Sequence, residues 1–70
     1  MKVALRASVI SEILARKNKS QNGFAYRVGT TSGYMSQMMN GKRNPSPKMR
    51  EKILEYLKEY KFDDIFTLQK

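Results

Sequence analysis

Eight cations and no acid lie between Ile13 and Arg50: Arg16, Lys17, Lys19, Arg27, Lys42, Arg43, Lys48 and Arg50. The rest of the 70-residue chain carries six basic and six acidic residues, so the whole net charge of +8 belongs to this middle stretch. The chemistry open to such a cluster is neutralisation of a polyanion. Charge gathered this way is the footprint of a nucleic-acid binder, whose affinity comes largely from phosphate contacts. Catalytic chemistry is poorly supplied. The chain has no His and no Cys, so it lacks the commonest general base near neutral pH, a thiolate nucleophile and a Cys/His set for structural zinc. Asp63 and Asp64 are adjacent, and neighbours on a helix do not face one site. No Gly-rich phosphate cradle is present. The residues therefore argue against an enzyme and call for no metal or other cofactor.

The length sets the frame that must hold these cations. Seventy residues make one domain, 1–70, with a small core that no disulfide staples. The longest apolar runs, such as Val3-Ala4-Leu5 and Ile13-Leu14-Ala15, fall far short of the roughly 20 residues of a membrane span. They are equally short of a secretory leader. The expectation is a soluble, cytoplasmic protein with no membrane partner and no evident small-molecule ligand. No repeat, Pro-rich linker or effector domain is visible.

Apolar spacing and cap residues predict five short helices. Val9, Ile10, Ile13 and Leu14 share one face of a helix over 8–18, with Ser8 as N-cap and Asn18 at its end. Ser20 caps a second helix over 21–28, whose stripe is Phe24, Ala25 and Val28. Thr31 caps a third over 32–39, with Met35, Met38 and Met39 apolar and Ser32, Gly33, Ser36 and Gln37 polar. Ser46-Pro47 opens a fourth over 47–60, proline being pre-organised for the first helical position. Phe62, Ile65 and Phe66 return to the core in a fifth element over 62–66. Lys2 to Arg6 alternates polar and apolar residues and is open to either a short strand or an extra helical turn.

Helices 21–28 and 32–39 flank Gly29-Thr30-Thr31. Two short helices joined by so tight a turn have the layout of a helix-turn-helix, whose second helix enters the major groove. The residues themselves then supply a resemblance. Ser20-Gln21, Phe24-Ala25, Val28-Gly29, Tyr34-Met35-Ser36 and Gly41-Lys42-Arg43-Asn44-Pro45-Ser46 stand in the order and register of the Cro and lambdoid-repressor (Xre) family. The similarity spans about residues 6–66 and implies an all-α, compact five-helix lambda repressor-like DNA-binding domain with its helix-turn-helix at about 21–39.

The resemblance also implies roles. Thr31, Ser32, Gly33, Ser36 and Gln37 occupy the positions that read base edges in the family. Gln21, Tyr34, Asn40, Lys42 and Arg43 occupy those that meet backbone phosphates. Gln37 is the principal base-reading candidate, because an amide presents the donor and acceptor that adenine N6 and N7 require. The sequence departs from the family at Gly23, where an acid usually completes a capping box with Ser20, and at Met39, usually Glu. Gly33 has no side chain to read a base, and the absence of Arg from 32–39 leaves no bidentate guanine contact from this helix.

The implied function is sequence-specific binding of double-stranded DNA by a transcriptional regulator, read as a repressor, homodimeric at least on DNA. The dimer surface expected by analogy is the C-terminal helix with Phe62–Phe66. The alternative is an antitoxin or other protein-interaction module of the same fold. Its motive is the set Met35, Met38 and Met39, which forms an adaptable surface for a protein partner if exposed.

Overall fold

Ser20, Thr31 and Ser46 each rescue a peptide N–H that the first turn of a helix leaves without a partner. In the computed structural model, which describes residues 1–70, their hydroxyls accept from the N–H of Gly23 at 2.9 Å, Tyr34 at 3.1 Å and Met49 at 3.1 Å. The elements run β1 (Lys2–Leu5), α1 (Ala7–Arg16), α2 (Gln21–Arg27), α3 (Ser32–Met39), α4 (Pro47–Tyr56), α5 (Phe62–Ile65) and β2 (Phe66–Gln69). The five expected helices are all present.

The first three helices end alike. At α1 the N–H of Asn18 donates to Ala15 O (3.2 Å) and that of Lys19 to Leu14 O (2.9 Å). At α2 Gly29 donates to Tyr26 O (3.1 Å) and Thr30 to Ala25 O (2.9 Å). At α3 Gly41 donates to Met38 O (3.2 Å) and Lys42 to Gln37 O (2.9 Å). Each pair is a Schellman closure, which needs one left-handed residue. Asn18 (φ 57°), Gly29 (φ 77°) and Gly41 (φ 76°) supply it.

Several boundaries move from the sequence expectation. Helix α1 begins at Ala7, not Ser8, and ends at Arg16 rather than residue 18. Its cap residue is Arg6, which makes no side-chain cap bond. Arg6 is instead committed to the chain's far end. Its N–H donates to Ile65 O at 2.8 Å, and its Nε to Asp63 O at 3.1 Å and Phe66 O at 3.0 Å. Helix α2 ends at Arg27, with Val28 as its cap. Helix α4 stops at Tyr56, not residue 60, because Leu57 leaves helical geometry (ψ 50°) while its side chain stays fully buried. The chain then turns, Tyr60 donating to Leu57 O at 2.9 Å, and α5 comes to rest against α1.

The wholly helical picture also gains a small sheet. Residues 2–5 are a strand, which settles the open choice at the N-terminal end. Phe66, expected to close the fifth helix, begins β2 instead. The two strands pair antiparallel with Lys2 opposite Gln69 and Leu5 opposite Phe66.

Fourteen buried apolar residues form one cluster, drawn from β1, every helix and β2. Ile10, Phe24, Met35, Ile53, Leu57, Ile65 and Phe66 are its fully buried members. Burying a side chain of this size contributes about 1.5–3 kcal/mol, and no buried side-chain polar atom lacks a partner. The Phe24 and Tyr56 rings pack at 5.6 Å, and the Phe62 and Phe66 rings at 4.9 Å. No helix is long and apolar enough to cross a membrane.

Candidate nucleic-acid interface

Helix α3 is fixed from its inner side. Met35 and Met38 are buried, with Tyr34 and Met39 packed half-buried beside them. Ala25 and Val28 of the preceding helix and its cap belong to the same cluster, and α2 and α3 are in direct contact. The small Ala25 side chain suits a close approach of the two backbones. Gly29 makes the reversal between them at a φ of 77°, which costs most other residues roughly 1–2 kcal/mol.

With Met35 and Met38 inward, the opposite side of α3 is free. Thr31, Ser32, Gly33, Gln37 and Asn40 are exposed and Ser36 is half-buried. Gly33, Ser36, Gln37 and Asn40 recur at the three- and four-residue intervals that share a helix face. This face holds hydroxyls and amides and no formal charge. The Thr31 hydroxyl already accepts the cap bond from Tyr34 and keeps its proton to donate. The Ser36 hydroxyl accepts from Asn40 Nδ2 at 3.5 Å, a long and weak contact. Gln37 places its side chain in solvent while its carbonyl oxygen accepts the N–H of Lys42 (2.9 Å) and Arg43 (3.3 Å). The residue best suited to read a base thus also anchors the start of the basic loop.

That loop carries the expected phosphate partners. Lys42 and Arg43 are exposed, and the Arg43 guanidinium lies over the Tyr34 ring. Gln21 is exposed in the first turn of α2, directly after the Ser20 cap. All ten residues expected to meet DNA are therefore exposed or half-buried. The carboxylates stand aside. The ion pairs are Arg16–Glu12 at 2.8 Å and Lys17–Glu59 at 3.0 Å. Arg27, Lys42, Arg43 and Lys48 are exposed and have no carboxylate partner, so their charge faces solvent and whatever polyanion enters it, whereas half-buried Arg50 turns its guanidinium toward Pro45 O at 3.5 Å.

The proton affinity of Glu59 is lowered by a neighbouring ammonium. The hydrogen bond from Lys17 Nζ at 3.0 Å holds its carboxyl below the ordinary value of 4.5. This pair joins the end of α1 to the turn after α4. No group of three His, Cys, Asp or Glu side chains is placed to hold a metal ion.

Two features escaped the sequence reading. The staple made by Arg6 gave no local signal, since all its partners lie between residues 63 and 66. The convergence of Arg27 with Lys52 and Lys58 around one groove was equally hidden, because it joins two helices distant in sequence. The methionines are now placed too. Met35 and Met38 are spent on the core, so they offer no surface to a protein partner. Ile65 and Phe66 are likewise fully buried, which takes them out of the dimer surface expected from the C-terminal segment.

Comparison with known proteins agrees with this geometry. The model of the helix-turn-helix family matches residues 10–65, from the middle of α1 to the end of α5. An uncharacterized HTH-type transcriptional regulator of Bacillus subtilis (strain 168), YvzC, is 28% identical over 65 residues, covering 93% of this chain and 83% of that protein. No solved structure matches the chain significantly. With four-fifths of its length matched and α2, Gly29 and α3 in the required order, the chain belongs to the helix-turn-helix family.

Proposed function

We infer that, beyond the DNA-binding transcriptional regulation that goes with its family, this protein is a repressor that lays α3 in the major groove of an operator. The observation that carries this reading is the outward face of α3, polar and uncharged, bordered by cations with no carboxylate partner. An α-helix with its side chains is about 10–12 Å across, and the major groove is about 12 Å wide. Gln37 is assigned to an adenine, with Thr31, Ser32 and Ser36 supplying hydroxyls to neighbouring base edges and Gly33 admitting a close approach. Gln21, Tyr34, Asn40, Lys42 and Arg43 are assigned to phosphates, which set register without reading sequence. With no Arg on α3, discrimination rests partly on the shape of the duplex.

Two copies on a two-fold operator fit the dimensions. Half-sites one turn apart are separated by about 34–36 Å. The protein's longest extent is 33 Å, so protomers on adjacent half-sites come within reach of each other. Occupancy alone suffices to block a promoter, which favours repression over activation. Selection from a random duplex pool at near-physiological salt tests the reading. Recovery of a two-fold motif with that spacing supports it, and reporter output that falls when the site overlaps a promoter supports repression. Binding without an enriched motif overturns the operator reading.

A further inference from the structure

Away from the ten residues assigned to DNA, one concavity interrupts the surface. It is an open groove of about 590 Å³ between the C-terminal end of α2, the second half of α4 and the turn that follows α4. That volume falls within the range of small-molecule sites, roughly 300–1,000 Å³. Arg27, Lys52 and Lys58 bring three cations to it, and Glu55 is the single acid, a net excess of +2. None of the three cations is in an ion pair. Tyr56 lines the groove and is held against Phe24 at 5.6 Å between ring centres. Gly29 lines the groove beside it, and a Cβ at this position would stand 3.6 Å from Lys52 Nζ. The glycine therefore leaves open the space next to that ammonium.

We propose that this groove is a second anion site, which takes a phosphate-bearing ligand carrying at least two negative charges. A single carboxylate matches one of the three cations. A pyrophosphate group presents several oxygens to ammonium and guanidinium donors at once, the charge-assisted geometry that makes strong contacts. The wall includes Gly29, the pivot of the helix-turn-helix, so an occupant would touch the joint that sets α3 against α2. The phosphate can come from a free ligand or from the backbone of DNA flanking the operator.

The test uses the full chain without DNA, followed by amide NMR during titration with sodium pyrophosphate at constant ionic strength. The expected result is saturable shifts at Arg27, Gly29 and Tyr56 that are lost in Lys52→Gln/Lys58→Gln. Both lysines are exposed, and an unchanged thermal midpoint shows that the variant is folded. Operator duplexes with short and long flanks then identify the source. A loss of affinity of about tenfold in the variant on the long duplex alone assigns the site to backbone phosphate, and saturation by pyrophosphate without flank dependence assigns it to a free ligand. Shifts no larger than those from sodium chloride, or confined to Gln21, Lys42 and Arg43, together with no flank dependence, overturn the proposal. The pyrophosphate arm is independent of whether an operator exists.

Discussion

The Arg43 guanidinium lies 5.4 Å from the centre of the Tyr34 ring, which ties the loop after α3 to the helix itself. The arginine is positioned twice, by this cation–π contact and by its N–H bond to Gln37 O at 3.3 Å. A cation held in place loses less entropy on meeting a phosphate than a free one. Arg43→Ala should therefore weaken binding to every duplex alike and lower the salt slope by about 0.9. Tyr34→Leu should lose its own phosphate contact together with its hold on Arg43, so the double variant should bind more weakly than Arg43→Ala, by less than the sum of the two single losses. Filter binding across a salt series reads both quantities. An unchanged slope in Arg43→Ala would remove this residue from the phosphate contacts.

Gln37 should behave in the opposite way. Gln37→Ala should cost about 1–3 kcal/mol of discrimination at one base pair. Non-specific affinity and its salt dependence should stay as they were, because phosphates carry those terms. Competition between the selected site and its single-base variants measures the difference. Uniform weakening on all sites would place Gln37 on the backbone instead.

Gly23 sits three residues after Ser20, where a side chain could return the cap bond. Gly23→Glu should raise stability by about 1 kcal/mol, through the gain in helix propensity and a bond to the Ser20 N–H. For a domain of this size that is about 4–8 °C in thermal midpoint. The new Cβ would approach Ser20 Oγ at 3.2 Å, and the exposed serine can give by the few tenths of an ångström needed. A lowered midpoint would show that this crowding outweighs the gain.

The Lys17–Glu59 pair should write itself into the acid limb of stability. Its hydrogen bond depresses the Glu59 carboxyl in the folded state. A depressed folded value means that the contribution is complete above the unfolded value and is lost as pH falls through the folded one. The advantage of wild type over Glu59→Gln should be present at pH 7, shrink below the ordinary value of 4.5 and vanish in stronger acid. High salt should also shrink it at pH 7, since both side chains meet solvent. Chemical denaturation at several pH values shows the trend. A difference that grows toward acid would contradict the sign.

What could be read from the sequence was what is local. Ser20, Thr31 and Ser46 marked helix starts because a cap bond spans three residues. Gly29 and Gly41 marked two ends because the left-handed closure is equally short-range. The inward Met35 and Met38 and the outward Gln37 followed from helical spacing alone. Phe66-Thr67-Leu68-Gln69 was invisible as a strand because its partner is Lys2–Leu5, and strand preference depends on what lies alongside. The early end of α4 was hidden for the same reason. Residues 57–60 keep a helical pattern, but Leu57 is buried in a core that residues from both ends of the chain help to complete.

The terminal sheet makes the domain a closed circuit in time as well as in space. Helices α1 to α4 draw their caps from nearby residues, but at 7–10 residues each they depend on packing for stability. Strand β1, which touches α3 as well as β2, gains its hydrogen-bonded partner only when residues 66–69 exist. A chain growing at about 5–20 residues per second therefore spends its synthesis with Leu5 unpaired from Phe66 and Arg6 without its carbonyl partners. A nascent or prematurely halted product would hold its recognition helix in an unfinished setting. The strand that backs α3 is thus held on its hydrogen-bonding edge only after residues 66–69 have been added.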